Sequence, residues 1–508
     1  MSKYILAHDL GTSGNKATLY NLEGGLVSST VFEYPSYYPM SGYVEQNPDD
    51  WWKAVCICTA ELIYKVGIKN SEIACVCFSA QMMGCLLVDR DGKALHNMIT
   101  WADLRSIKQA EHIEKVLGME KVYKTTGHRI SASYSAAKLL WIRDEQPDIY
   151  KKAYKMIHAK DYIIHKLTGN FVSDYSDASG TNLLNLSTKT WSQEILKELG
   201  ISEDILPELH ASTDIAGVTT AEAATQTGLV QGTPVVIGGG DGSCACVGAG
   251  VVQEGKTYNV IGTSSWISSA SKTPVFDEQM RTFNWVHLDS ELYTPCGTMQ
   301  TAGYAFSWLK NTLCESEIME ANSKGVSPYQ IIDEKILQAP AGANGLLFLP
   351  YMLGERSPRW NPNAKGTFLG LSITSTKDDI LRSVLEGIGY NLKVILDIFD
   401  QKISVDEIVM IGGGAKGDVW LQILSNIWQK KLLVPQYIEE ATSMGAAICG
   451  GVGIGAFKNF DVINQFNQIK RIIQPRHENK AVYEKLYNAF NEAYYGLERT
   501  FEILAEIK

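Results

Sequence analysis

Apolar and polar positions alternate through the first 34 residues in three short blocks: YILAH at 4–8, KATLYN at 16–21 and VSSTVFEY at 27–34. In the second block Lys16, Thr18 and Tyr20 alternate with Ala17 and Leu19, the period of a half-buried strand. Gly11-Thr12-Ser13-Gly14 and Glu23-Gly24-Gly25 separate the blocks. The pattern predicts an antiparallel meander. P-loops and dinucleotide-binding turns need a strand that enters a helix directly, so the opening stretch is neither.

The period then lengthens. Residues 49–66, DDWWKAVCICTAELIYKV, predict a helix, with Asn47-Pro48-Asp49 as its start signal. IACVCFSA at 73–80 reads as a buried strand ending at Gln81-Met82-Met83-Gly84, and CLLVDRDG at 85–92 as a hairpin turning at Asp91-Gly92. Helical spacing dominates from about Leu104 to His165. A second strand-rich block begins near TPVVIGGGDGSCACVGAG at 233–250. KTYNVIGTSSWISSA at 256–270 then repeats the strand, small turn, strand order of the opening. The repeat predicts two similar domains, 1–250 and 251–508, packed around a cleft with no Pro-, Gly- or Ser-rich linker. The amphipathic, aromatic helix at 481–507 is assigned to domain packing, with a subunit contact in a homodimer as its other use.

A chain of 508 residues accommodates two large domains or three small ones. Its net charge of −10 is scattered, with no basic run, which argues against nucleic acid or an anionic membrane as partner. No leader-like or membrane-spanning apolar run is visible, and the expected compartment is the cytoplasm. The paired cysteines, Cys56-x-Cys58, Cys75-x-Cys77 and Cys244-x-Cys246, stand closer than structural zinc ligands do. In apolar surroundings they read as buried, reduced thiols.

The candidate chemistry starts from an apparent contradiction. The Gly11–Gly14 turn suits a phosphate, because backbone N–H groups converge there. Yet Asp9 stands at its mouth, where a carboxylate repels phosphate. A second acid, Asp241, follows another strand and glycine run in VVIGGGDGS. Two acids at strand ends in glycine-rich turns fit a magnesium–nucleotide reaction, with one carboxylate free to take a proton from an attacking hydroxyl. Each acid alone equally fits a turn-capping aspartate. Gly412-x-Gly414-x-x-Gly417, with Glu439 about twenty residues on, formally matches a dinucleotide fingerprint, but no regular βαβ series surrounds it.

Several motifs occur in order along the chain: Asp9-x-Gly11-Thr12-Ser13-Gly14-x-Lys16, Trp101-x-Asp103-x-Arg105, SYSAAKLLWIRDE at 133–145, GGGDG at 238–242 and GTSS at 262–265. LPYMLGERSP at 349–358, GTFLGLSITSTKDDILRSVLEG at 366–387 and IGGGAKGDVWLQIL at 411–424 follow. Together they resemble the FGGY family of carbohydrate kinases, from residue 4 to about 455, and within it the xylulokinase branch most. The resemblance implies an α/β fold of two ribonuclease-H-like domains, of the actin/hexokinase type, around a central cleft. It implies transfer of the ATP γ-phosphate to a primary hydroxyl of a small sugar, with D-xylulose the leading acceptor and another ketose, a polyol or a sugar acid (ribulose, glycerol, gluconate) as alternatives.

On the same resemblance Asp241 is the general base, and Asp9 and Asp241 are the contacts for Mg2+. Thr12, Ser13, Lys16, Gly262 and Thr263 embrace the phosphates of ATP. Gly303, Gly413, Gly414 and Ala415 line the nucleotide pocket, and Gln81, Met82, Met83, Trp101 and Asp103 join Asp241 around the sugar. Two positions depart from the branch: Met83 replaces its histidine, and Gly242 replaces the asparagine after the base. Each removes a polar side chain beside the expected sugar hydroxyls, worth about 0.5–1.5 kcal/mol per lost partner.

Three further expectations come from the residues. His8 points away from Asp9 and is structural. Glu355 and Arg356 form either a surface ion pair or a latch at the cleft lip. The competing classes are an actin-like ATP-driven binding protein, against which the polar Gln81–Trp101–Asp103 group argues, and a nicotinamide oxidoreductase resting on Gly412–Gly417, which leaves Asp9 and Asp241 without a use.

Overall fold

The computed structural model describes residues 3–507. Strands β1 (Tyr4–Leu10), β2 (Gly14–Asn21) and β3 (Leu26–Glu33) form the expected meander. Helix α1 (Pro48–Val66) starts where Asn47 Oδ1 accepts the Asp49 N–H, and stops at Gly67, whose φ of 69° suits glycine. Strand β4 (Ile73–Ala80) lies parallel to β1. Helices α2 (Ser135–Glu145) and α3 (Ala159–Thr168) follow within the helical stretch. Strands β5 (Ile215–Val218), β6 (Pro234–Val236) and the short β7 (Gly239–Gly240) complete the first sheet, in the order β5-β6-β4-β1-β2-β3 with β7 also beside β4.

Directly after β7 comes helix α4 (Asp241–Gly248), where the sequence pattern predicts only strand. DGSCACVG is small and apolar all round and buried from Ser243 to Gly248, so it shows no helical stripe to read.

The second sheet repeats the first. Strands β8 (Thr257–Ile261) and β9 (Ser265–Ser269) pair antiparallel, followed by β10 (Phe283–Val286) and β11 (Tyr293–Met299). After helix α5 (Gly303–Leu313) and the long, mostly buried α6 (Lys377–Asp400), β12 (Glu407–Ile411) lies parallel to β8. Helix α7 (Asp418–Trp428), β13 (Lys431–Pro435), helix α8 (Ala441–Gly453), β14 (Ile469–Ile473) and helix α9 (Lys480–Glu506) finish the chain. The order is β10-β11-β9-β8-β12-β13-β14. In both sheets an antiparallel meander meets a parallel strand at its first member. Because β12 and β13 are parallel with α7 between them, the Gly412 stretch does lie in a βαβ unit, contrary to the sequence reading.

Alternation on β1 sets the layers. Ile5 and Ala7 pack against Cys244, Val247, Met444 and Ile448 of α4 and α8. Leu6 and Leu10 pack on the other face, against Trp51 and Phe78. Asp9 shares the first face and His8 the second. His8 is buried there, hydrogen-bonded to Asn15 and Thr59 and stacked on Phe78, as a structural residue should be. Helices α4 and α8 touch backbone to backbone: a Cβ at Gly248 would fall 1.7 Å from the Ala441 carbonyl oxygen, and one at Gly445 1.9 Å from that of Cys244. All ten cysteines are free, and only Cys56 is less than fully buried.

Candidate active site

The parallel strands place the two acids. Asp9, Ser79 and Gly239 stand side by side across β1, β4 and β7, and Asp241 follows as the first residue of α4. Two strand spacings, about 10 Å, therefore separate the backbones carrying the carboxylates. Ser79 Oγ donates to Asp9 Oδ1 at 2.9 Å. The glycine run before Asp241 is a packing requirement. Gly238, at φ +74°, brings its α-carbon so close to β4 that a Cβ would lie 1.9 Å from the Phe78 carbonyl oxygen. A Cβ at Gly240 would lie 2.4 Å from Met82 Sδ.

A buried charge network fixes this segment from below. The Lys160 ammonium lies 2.7 Å from Asp161, 3.2 Å from Asp174 and 3.7 Å from Asp177. Burial alone would lower its pKa, but the three carboxylates override that and raise it. Asp174 Oδ2 accepts from the Ser176 hydroxyl, and Ser176 Oγ accepts the Gly240 N–H at 3.0 Å, one residue before Asp241. His158 Nδ1 pairs with Asp177 at 2.6 Å. Because a lysine already sits among these carboxylates, the cluster carries structure.

Burial and, second, the Asp9 carboxylate push Asp241 up to about 7. Burial also raises Asp9. Two buried carboxylates near enough for Asp9 to raise Asp241 are hard oxygen donors, a set that fits a magnesium ion. Lys16, the cation nearest in sequence, is held by Glu440 Oε1 at 3.2 Å and the Glu439 carbonyl at 3.1 Å, across from the second half of the chain.

Each small turn is closed by the N–H of its first glycine, which donates three residues on in the first turn and two in the second. Gly11 N donates to Gly14 O, and Gly262 N donates to Ser264 O, both at 2.9 Å. Carbonyls of the first turn are held by Tyr34 and Gln46, those of the second by the backbone N–H groups of Ala302, Gly303 and Tyr304. The N–H groups of Thr12, Ser13, Thr263 and Ser264 donate to no described residue. Free N–H groups in small turns of this kind fit the phosphates of a nucleotide.

Beside the second turn lies a cavity of about 610 Å3, lined by Gly262, Thr263, Gly303, Gly413 and Gly414, all named from the sequence. Phe306, Tyr329, Gln330, Asp333, Lys416 and Trp420 complete it and were not. Lys416 and Trp420 fall within the 411–424 motif, whereas the others, from α5 and the 327–336 segment, lie outside every motif. Ala415 is corrected: it is fully buried, and its carbonyl accepts from Arg471 at 2.6 Å. Gly303 N donates to Gly262 O at 2.9 Å, and an added Cβ would lie 2.4 Å from that oxygen. Gly303→Ala is expected to cost about 1–3 kcal/mol of overpacking, read as a lower denaturation midpoint together with weaker ATP binding. Unaltered ATP affinity in a destabilised variant would detach this turn from the nucleotide.

On the other side, Met82 and Met83 pack with Tyr134, Phe283, Trp285, Cys296 and Trp360. Met83 has φ 65°, and its carbonyl accepts from the buried Lys138 ammonium at 3.1 Å. Trp101 Nε1 donates to Thr12 Oγ1 at 3.0 Å, tying the pocket wall to the phosphate turn. Two residues are corrected. Asp103 is fully buried, its carboxylate filled by Arg105 and the Val44 N–H. Gln81 is buried behind the turn, donating to Gln46 at 2.6 Å. Both support the wall.

Glu355 and Arg356 form no ion pair. Glu355 is buried, accepting the N–H groups of Gln300 and Arg356 and the Asn391 amide at 2.9–3.1 Å. Burial pushes its pKa from 4.5 up to about 8. The neutral acid is thus favoured on folding: its stabilising contribution is full below pH 4.5 and is lost as pH rises through about 8. Glu355→Gln should flatten that decline in urea titrations across pH 5–9, and an identical decline in both proteins would refute the assignment.

The first-half family model for FGGY carbohydrate kinases, N-terminal domain, matches residues 4–248, and the C-terminal domain model matches 257–454. The chain belongs to the FGGY family of carbohydrate kinases. It is 33% identical to the xylulose kinase of Bacillus subtilis (strain 168), over 97% of each chain. It is 34% identical to the gluconokinase of that organism, over 91% of this chain and 90% of the relative. The gluconate kinase and the ligand-bound xylulose kinase of Lactobacillus acidophilus both superpose with a TM-score of 0.92, at 28% and 29% identity, covering 99% of this chain and all of theirs. The two-domain actin/hexokinase-like fold expected from the sequence is therefore established. No described helix is long and apolar enough to cross a membrane.

Proposed function

We propose that this chain uses ATP to phosphorylate a primary hydroxyl of a small open-chain sugar, between an acceptor-binding unit, 1–250, and a nucleotide-binding unit, 251–508. The observation that carries this is the Asp9–Asp241 pair in a chain that carries a small turn with free N–H groups in each half. Asp241, near neutrality in its proton affinity, takes the proton of the acceptor hydroxyl. That oxygen bonds to the γ-phosphorus as the bond to the β,γ-bridging oxygen breaks, and ADP leaves with the electron pair. Thr12, Ser13, Gly262 and Thr263 hold phosphate oxygens through their backbone. Asp9 and Asp241 would hold Mg2+, which when bound neutralises the phosphate charge. Gly303, Gly413 and Gly414 form the floor under the nucleotide, and Met82, Met83 and Trp101 bound the acceptor.

The relatives' names offer D-xylulose and D-gluconate, and ADP release with Mg-ATP over ketoses, polyols and sugar acids tests the reading. Release should depend on an acceptor, because a closed cleft excludes water. Equal ADP release with and without every acceptor would overturn it.

A further inference from the structure

The acceptor end of the pocket carries positive charge that the chain does not neutralise. Arg129 and Arg356, one from each half, flank the indole of Trp360, their guanidinium carbons 5.1 and 5.9 Å from its centroid. Among the described residues neither has a carboxylate within 4.0 Å, whereas Arg105, Arg281 and Arg382 each have one at 2.7–2.8 Å. Glu355, next in sequence to Arg356, is turned inward to Gln300 and Asn391. Tyr134, Trp360 and Met83 belong to one cluster with Met82 and Cys296. Met82 of that cluster lies against Gly240, and Trp285 lies 3.9 Å from where a Cβ at Gly242 would stand, so the cluster adjoins the segment that carries the proposed base. Lys138, which burial pushes down to about 7, is held only by the carbonyls of Met83 and Ser133.

A neutral ketose entering here would desolvate two guanidinium groups without compensation. A carboxylate would satisfy them, since the planar fork of arginine pairs with it bidentately. It would also account for the two polar side chains absent at Met83 and Gly242, because recognition shifts from sugar hydroxyls to an acid group. We propose that the acceptor is an aldonate, a straight-chain polyhydroxy acid whose carboxylate is bound by Arg356 and Arg129 and whose far primary hydroxyl faces Asp241. This rests on the kinase reading above.

The test compares D-gluconate with D-glucitol, which differs only in carrying a hydroxymethyl group for the carboxylate, and with D-xylulose. In the full chain with Mg-ATP, kcat/KM for gluconate should exceed both by about 100-fold or more. Arg356→Gln and Arg129→Gln should each lower kcat/KM for gluconate about 30-fold or more, chiefly through KM, and narrow its lead over glucitol. Calorimetric titration of the wild type without nucleotide should show gluconate bound and glucitol not. A wild type that prefers xylulose or glucitol overturns the proposal and leaves the kinase reading intact, as do variants that lose acid and neutral acceptors equally. Failure of every acceptor removes both.

Discussion

Asp241→Asn is expected to lower turnover by about 10²–10⁴-fold, the usual share of a positioned general base, with ATP and acceptor still bound. Asparagine keeps the size and the Oδ1 that accepts the Gly242 N–H at 2.7 Å, so α4 should start unchanged. The variant removes the proton acceptor and also relieves the repulsion with Asp9. Asparagine still offers an oxygen to a magnesium ion and Asp9 is untouched, so ATP affinity should change little while kcat collapses. The decisive readout is single-turnover phosphoryl transfer beside equilibrium ATP binding. Near-normal transfer would place the base elsewhere, and loss of both together would show that Asp241 acts in binding.

Lys160→Met should be the most damaging substitution to the fold. It strips the ammonium from among Asp161, Asp174 and Asp177, all buried, and leaves Asp161 and Asp174 with no counter-charge, while Asp177 keeps His158. Breaking a buried ion pair by removing one partner costs about 3–5 kcal/mol. Asp174 also orients Ser176, which holds the Gly240 N–H, so the damage should extend to the Asp241 segment. Urea unfolding followed by far-ultraviolet circular dichroism reads the loss. A change under about 1 kcal/mol, the worth of an exposed pair, would contradict the structural role.

The meander, the small turns and their repetition are legible in the sequence because period-two alternation and glycine punctuation are local signals. Asp9, Asp241, Gly262 and Gly303 carry that signal with them. The α4 helix is not legible, since a short helix buried on every side has no polar face. Asp103, Gln81 and Ala415 match family motifs at the right positions, yet all three are buried supports, because a motif records spacing and not which way a side chain turns. Phe306 and Tyr329 reach the cavity beside the second turn only through tertiary packing. The unpaired state of Arg129 and Arg356 is likewise invisible in a list of residues, as it depends on where Glu355 points.

The backbone contact between α4 and α8 governs how the cleft can move. Gly248 meets Ala441 and Cys244 meets Gly445, so the helices lie antiparallel with contacts four residues apart. No side chain lies between them to change rotamer and let one slip past the other. The pair should behave as a single stiff rod shared by both halves. Opening and closing then falls to the irregular chain at its ends, 249–256 and 436–440, where Gly250 and Gly255 have φ near +80°. Since Asp241 begins one member of that rod and Glu440, the partner of Lys16, adjoins the other, torsion in those two joints is delivered to the proposed base and to the Lys16 bridge at once.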